Sequence, residues 1–146
     1  MTDTSLWQLS AREIARRVRA GETTALAVIE AHLARIDAVN PVVGAATVVF
    51  ADRARDLAAS IDARVAAGEE VGPLAGVPFS VKENIDLTWS ASTQGWTFLV
   101  EAVPAENATM VERLLAAGAI PIARGNMPDF GLRWDTVNDL FGRTPS

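Results

Sequence analysis

The chain contains no cysteine and a single histidine, His32, among its 146 residues. Without thiols there is no disulfide and no thiolate metal site, and one imidazole builds neither a Ser-His-Asp triad nor a multi-histidine metal centre. No apolar run is long and unbroken enough to span a bilayer, although 49% of the residues are apolar and many of those are alanine. The start, Met1-Thr2-Asp3-Thr4-Ser5, lacks the basic residues and apolar core of a secretory signal, so the cytoplasm is the expected location. Basic blocks are missing too. Thirteen Lys and Arg against 18 Asp and Glu leave a net charge of −5, which argues against nucleic acid as a partner. Internal repeats, low-complexity tracts and interdomain linkers are likewise absent.

What is there is a sequence punctuated for alternating helices and strands. Ser10-x-x-Glu13 forms a capping box that opens a helix through Ile14 and Val18 and stops at Gly21. Thr23 or Thr24 caps a second helix, with Leu26, Ile29, Leu33 and Ile36 as its apolar stripe and Asn40-Pro41 as its end. His32 borders that stripe and reads as a half-buried structural residue. Residues 42–50, rich in β-branched side chains, predict a strand, and residues 51–67 a third helix closed by Gly68. A polar, tryptophan-containing stretch over residues 88–103 precedes a helix capped near Asn107 and closed at Gly118. Residues 119–123 predict a short buried strand, where Pro121 marks a strand start or a position whose N–H is not needed. This order predicts an α/β fold with helices covering a sheet.

One segment carries chemistry. In Gly72-Pro73-Leu74-Ala75-Gly76-Val77-Pro78-Phe79-Ser80-Val81-Lys82-Glu83-Asn84-Ile85-Asp86, a Gly/Pro-rich approach delivers a lysine at the end of a short apolar run. Period-two alternation puts Phe79 and Val81 on one face of an extended segment and Ser80 and Lys82 on the other. Most lysines at strand ends reach solvent. A lysine aimed into protein instead loses solvation, and the neutral amine can then act as a base.

The same run resembles the lysine motif of the amidase signature family, G-P-L-x-G-V-P-x-x-V-K-D-N-I-D, with Glu83 in place of the more usual Asp. Further blocks match in order. Residues 107–120 resemble the family's helix and following strand, Asn126-Met127-Pro128-Asp129-Phe130 its N-x-P-E-F segment, and Asn138, Leu140, Phe141, Gly142, Arg143 and Thr144 its N-P-L-F-G-x-T stretch, with Asp139 replacing proline. Residues 9–40 look like its N-terminal helical pair, and Ser92-Thr93-Gln94-Gly95-Trp96 stands at its T-[ST]-x-G-S segment, where Trp96 replaces a small polar residue. Several ordered blocks are far harder to reach by chance than one motif.

The resemblance implies the amidase signature fold, a mixed, twisted sheet enclosed by helices. It also implies amide hydrolysis by two serines and a lysine, the first serine a nucleophile and the second preceded by a cis peptide bond, with no cofactor and no metal. Lys82 is the catalytic residue carried over. Neutral Lys82 would accept a proton through the bridging serine so that the nucleophile attacks the amide carbonyl. With a reference pKa of ~10.4 a lysine does this near neutrality only when desolvated. Both serines of that family lie in a Gly/Ser-rich segment beyond the F-G-x-T stretch, and this sequence runs to Pro145-Ser146, where no glycine-rich turn surrounds Ser146. The expectation is the N-terminal portion of one amidase domain, a helical pair over residues 10–40 followed by an α/β part over residues 42–146, inactive alone.

Gly131, Leu132 and Trp134 occupy the region whose counterparts line the acyl pocket in some family members, a small residue beside two large apolar ones. Asp129, Asp135 and Asp139 sit in matching structural segments, which sets aside a glycosidase or metal site. The substrate expected is therefore a small amide with a bulky or hydrophobic acyl group, with no nucleic-acid or membrane partner and a homodimer as one assembly of a complete protein. Two alternatives stand beside this reading, a glutaminase subunit of a tRNA-dependent amidotransferase and an inert truncated module.

Overall fold

The computed structural model describes residues 5–145; the first four residues, read above for a signal, and Ser146 lie outside the described residues. Among the described residues, the α-helices α1 (Ala11–Arg19) and α2 (Ala25–Val43) are followed by strand β1 (Ala46–Val49), helix α3 (Ala51–Ala66), strand β2 (Pro78–Lys82), helix α4 (Thr109–Ala116) and strand β3 (Ile120–Gly125). A two-residue pair, β4 (Val137–Asn138) and β5 (Gly142–Arg143), follows. The sheet order is β1-β3-β2. β1 pairs antiparallel with β3. The Ile120 N–H donates to the Val77 carbonyl at 2.8 Å and the Glu83 N–H to the Gly125 carbonyl at 3.1 Å, so β2 and β3 advance together and run parallel. The mixed α/β architecture agrees with the expectation.

The chain divides into two compact units. The first comprises Met1–Ala38, Phe50–Phe79 and Arg113–Ile122. Its core is made of small and branched side chains: Ile14, Ala15 and Val18 from α1, Ala25, Val28, Ile29, Ala31 and Leu33 from α2, and Ala54, Ala58 and Ile61 from α3. Removing each buried Val, Ile or Leu from water contributes about 1.5–3 kcal/mol, and the alanines let helix backbones approach closely. Ser10 caps α1 by accepting the Glu13 N–H at 3.2 Å. The reciprocal half of the capping box is not made, because the Glu13 carboxylate turns to Arg16 and Arg17 instead. Thr24 accepts the Ala27 N–H at 3.0 Å, and Asp62 of α3 takes the next two orphan donors of α2, Ala25 at 2.6 Å and Leu26 at 3.0 Å. α1, α3 and α4 each close with a glycine at positive φ, Gly21, Gly68 and Gly118, as the sequence indicated.

Three boundaries differ from the sequence reading. α2 does not stop at Asn40-Pro41; Pro41 lies inside it and the helix runs to Val43. In the last turn proline forfeits a single intrahelical bond, and the Gly44 N–H still closes onto the Asn40 carbonyl at 2.7 Å. β1 is correspondingly shorter than residues 42–50, because the Asn40 amide holds Ala46 through both its N–H and its C=O at 2.8 Å and starts the strand there. The buried stripe of α2 is rotated as well. Leu26 is 36% exposed and Ile36 half-buried, while Ala25 and Val28 are fully buried. At α4, Asn107 does not cap its own helix; its side-chain oxygen accepts the Thr88 N–H at 2.7 Å.

Pro121 is the second residue of β3, the middle strand, and sits between Ile120, which donates to Val77, and Ile122, whose carbonyl takes the Phe50 N–H at 2.9 Å. Its missing N–H thus costs no ladder bond at either neighbour. The glycine-rich approach to β2 lies against the end of α4, with the Leu74 N–H on the Ala117 carbonyl at 2.8 Å and the Gly76 N–H on the Gly118 carbonyl at 3.0 Å. A Cβ at Gly72 would stand 2.2 Å from the Ala117 carbonyl oxygen, a backbone atom with nowhere to move. Gly72→Ala is therefore expected to destabilise by about 2–4 kcal/mol. Gly68→Ala, at φ +72° in open space, is expected to cost only about 1–2 kcal/mol. Urea unfolding of both variants checks the ranking.

Candidate active site

The second unit comprises Val39–Val49, Ser80–Glu112 and Ala123–Ser146. β2 delivers Lys82 into it with the alternation the sequence predicts: Val81 is buried at 2% exposure, Ser80 and Lys82 face solvent, and Glu83 turns in at 0%. Lys82 is exposed, so the described residues do not supply the desolvation that a neutral lysine base requires.

What the structure does supply is a fixed backbone beneath that lysine. Arg124, at 0% exposure on β3, spreads its guanidinium over the loop that follows β2. Nη1 donates to the carbonyls of Lys82 at 3.1 Å and Ile85 at 2.6 Å, and Nη2 to those of Leu87 at 3.2 Å and Ser90 at 3.1 Å. Nε donates to the Ser90 hydroxyl at 2.9 Å. All of these acceptors lie within nine residues of sequence, so one planar, rigid fork defines the path of the segment. Burial pushes the Arg124 guanidinium below its usual range, and the carboxylates of Glu83 and Asp86 pull it back up.

Glu83 pins the same segment from the other side. Its carboxylate accepts from the Thr47 hydroxyl, from the Thr93 hydroxyl at 2.6 Å and from the Thr93 N–H at 3.4 Å. Its carbonyl takes the Gln94 N–H at 3.2 Å, and the Gln94 carbonyl takes the Phe130 N–H at 3.1 Å. Two backbone bonds thus lead from the residue after Lys82 to the residue before Gly131. Gln94 and Phe130, at φ 52° and 49°, are left-handed non-glycine residues, a costly conformation that only a well-braced surround retains.

A third anchor orders the chain after β3. The buried Asn138 amide uses its full capacity, donating to the Asn126 side-chain oxygen at 2.7 Å and the Met127 carbonyl at 2.8 Å while accepting the N–H groups of Leu140 at 3.0 Å and Phe141 at 2.7 Å. Asn126 in turn donates to the Thr144 hydroxyl at 3.1 Å, which donates to the Gly44 carbonyl at 2.8 Å. Gly131, Leu132 and Trp134 project from the segment these bonds hold. Leu132 is 82% exposed and Trp134 fully so, and the described residues form no enclosed slot around them. Trp96 packs on Phe98 and Phe130. His32 Nδ1 lies 2.8 Å from the Val28 carbonyl one turn back in α2, a structural contact as anticipated. Among the described residues no group of three or more His, Cys, Asp or Glu side chains could hold a metal ion, and no helix is long and apolar enough to cross a membrane.

Sequence reasoning passed over Arg124 and the buried role of Glu83. The signal for Arg124 was a cation directly after residues 119–123, the strand read as buried, where a charge must find several acceptors or not be there. Arg124→Met should destabilise by about 3–5 kcal/mol, since it removes every hydrogen bond of the buried guanidinium to the 82–90 loop. Arg124→Lys should recover only part of that, because an ammonium cannot span the same acceptors. Urea unfolding, with hydrogen exchange at residues 82–90, measures both.

Comparison with known proteins supplies the family. The Amidase family model matches residues 27–146. The chain is 42% identical over 141 residues to the A-type subunit of the glutamyl-tRNA(Gln) amidotransferase of Salinispora arenicola, covering 97% of this chain and 29% of that protein. It is 37% identical over 139 residues to the indoleacetamide hydrolase of Bradyrhizobium diazoefficiens, covering 95% and 26%. Among solved structures, a bacterial aryl acylamidase of the amidase signature enzymes superposes with a TM-score of 0.89 at 29% identity, over 96% of this chain and 29% of that one. The chain thus spans less than a third of the length of these relatives. With its lysine on the rim of a clamped β-strand, its ordered motifs and this fold, the chain belongs to the amidase signature family.

Proposed function

We propose that this chain supplies the lysine of an amide-hydrolysing enzyme, as the leading portion of one longer amidase domain. The observation that carries the reading is Lys82 itself: a lysine presented on the open face of β2 whose own carbonyl is held by Arg124 and whose successor, Glu83, is committed to Thr47 and Thr93. A general base must be placed to within a fraction of an ångström, and a strand end clamped on both sides does this. Because Glu83 points inward, it does not clamp the lysine's charge. Further residues of a longer polypeptide would cover Lys82, remove water, and bring the two serines. The lysine would then take the nucleophile's proton through the bridging serine, the alkoxide would attack the amide carbonyl, and the amine or ammonia would leave with a proton before water releases the acid.

The substrate proposed is a small amide with an aryl or branched aliphatic acyl group. Support comes from Gly131, Leu132 and Trp134, which offer apolar surface and no partner for a charged head, and from the indoleacetamide hydrolase among the relatives. The second reading, a glutaminase subunit working with partner subunits, is favoured by the amidotransferase relatives. We also place the protein in the cytoplasm without a nucleic-acid partner, and take a homodimer as the assembly of the complete enzyme.

In a complete polypeptide containing this sequence, Lys82→Ala should lower kcat for aryl amides by about 10³-fold or more, while His32→Ala should leave it within about twofold. Equal losses from both changes, or full activity in Lys82→Ala, would rule out the proton-transfer role. Glutamine turnover faster than aryl-amide turnover would select the glutaminase reading. Gly131→Leu should raise KM for bulky acyl amides more than for acetamide, and steady-state kinetics on both substrates checks it.

A further inference from the structure

Within the second unit, a pocket of about 290 Å³ is lined by Gly95, Trp96, Thr97, Phe98, Asp129 and Asp139. Its wall is the indole of Trp96. Phe98 meets that ring edge-on, with centroids 4.8 Å apart at 75°, and Phe130 braces it at 4.6 Å and 44°. Trp96 keeps 37% of its surface exposed, so a ligand can reach it.

The floor of the pocket is built to stay in place. A Cβ at Gly95 would sit 3.1 Å from the Asn138 Cβ, so the turn lies directly on the saturated Asn138 amide. The left-handed pair Gln94 and Phe130, joined by a 3.1 Å backbone bond, sets where Trp96 and Phe130 point. Strain of this kind persists where the surround over-determines it, and it accompanies ligand clamps more than surface turns.

The chemistry of the lining is one-sided. Two carboxylates and a π-rich wall face the space, and none of the lining residues is basic. Arg133 approaches Asp129 only to 4.0 Å, at the limit of an ion pair, and is largely exposed. Such a surface repels anions and attracts cations by charge. A hard metal ion is a poor match, since it wants six or more oxygen ligands where this pocket offers two carboxylates and aromatic carbon. The apolar rings instead suit a cation that carries hydrocarbon.

We propose that this pocket binds a small organic ammonium ion, an aryl- or alkylamine whose charged nitrogen meets the carboxylates of Asp129 and Asp139 while its hydrocarbon part lies on the Trp96 ring. The size suits a single ring with a short ammonium arm.

The test titrates the 146-residue chain with phenethylammonium and with 2-phenylethanol, its neutral isostere, following the indole N–H resonances by NMR. The ammonium should shift the Trp96 resonance saturably, and the alcohol should bind at least about tenfold more weakly. Asp129→Asn with Asp139→Asn should weaken the ammonium about tenfold and remove its preference over the alcohol, while Asp56→Asn, on α3 and not among the lining residues, should change nothing. Raising the salt should weaken the ammonium but not the alcohol. Trp96→Leu should abolish the shift; because that change also alters packing, the double asparagine variant, with an unchanged circular dichroism spectrum, stands as the independent arm. Equal affinity for alcohol and ammonium, an unaltered Kd in the double variant, or no saturable shift in the wild-type chain would each overturn the site. The measurement involves no amide turnover, so its failure leaves the role of Lys82 untouched, and failure of Lys82 to act as a base leaves this site standing.

Discussion

A buried guanidinium fixes the most informative part of this molecule. Arg124 reaches from the central strand into the loop after β2 and gathers the carbonyls of Lys82, Ile85, Leu87 and Ser90 around one rigid plane. The carbonyls of Lys82 and Leu87 also accept the N–H groups of Ile85 and Ser90, and the guanidinium ties these local turns to one another. The arrangement makes an irregular stretch as well ordered as a strand. Its cost is the burial of a cation, offset by its hydrogen bonds and by the nearby negative charges of Glu83 and Asp86.

Alternation along β2 then sorts the charges without further help. Val81 enters the core, Lys82 leaves it, and Glu83 enters again, so the two ionic side chains that are adjacent in sequence point apart. Glu83 spends its carboxylate on two threonines, Thr47 and Thr93, which bind β1 and the 93–96 turn to the same point. Lys82 is left with a fixed backbone and a solvent-facing side chain. That is the division of labour a catalytic lysine needs, provided that other residues exclude water around its amine.

From Glu83 the order spreads outward through backbone bonds to Gln94 and Phe130, and from the other end through Asn138 and Asn126. The result is a set of turns held by saturated polar groups rather than by a thick apolar core. Two non-glycine residues keep left-handed backbone there, and the aromatic rings of Trp96, Phe98 and Phe130 are arranged beside two aspartates. Both left-handed non-glycine positions among the described residues lie in this unit, beside the pocket.

Much of this was legible from one dimension. The helices announce themselves through Ser10, Thr24 and the glycines at 21, 68 and 118, because caps and left-handed stops are local chemistry. The lysine motif and its ordered companion blocks carry the family, and period-two alternation assigned the faces of β2. What failed were statements that depend on particular partners in the folded chain. Pro41 could stay helical because Gly44 closes the turn behind it, and β1 was cut short by an amide from Asn40. Arg124 looked like one more charge until the loop 82–90 folded over it, some forty residues away in sequence. Local propensity and pattern therefore determined which elements form and where the family's motifs fall; tertiary structure alone decided which polar groups meet, because burial turns an unpaired donor or charge into a cost that only a particular neighbour can remove.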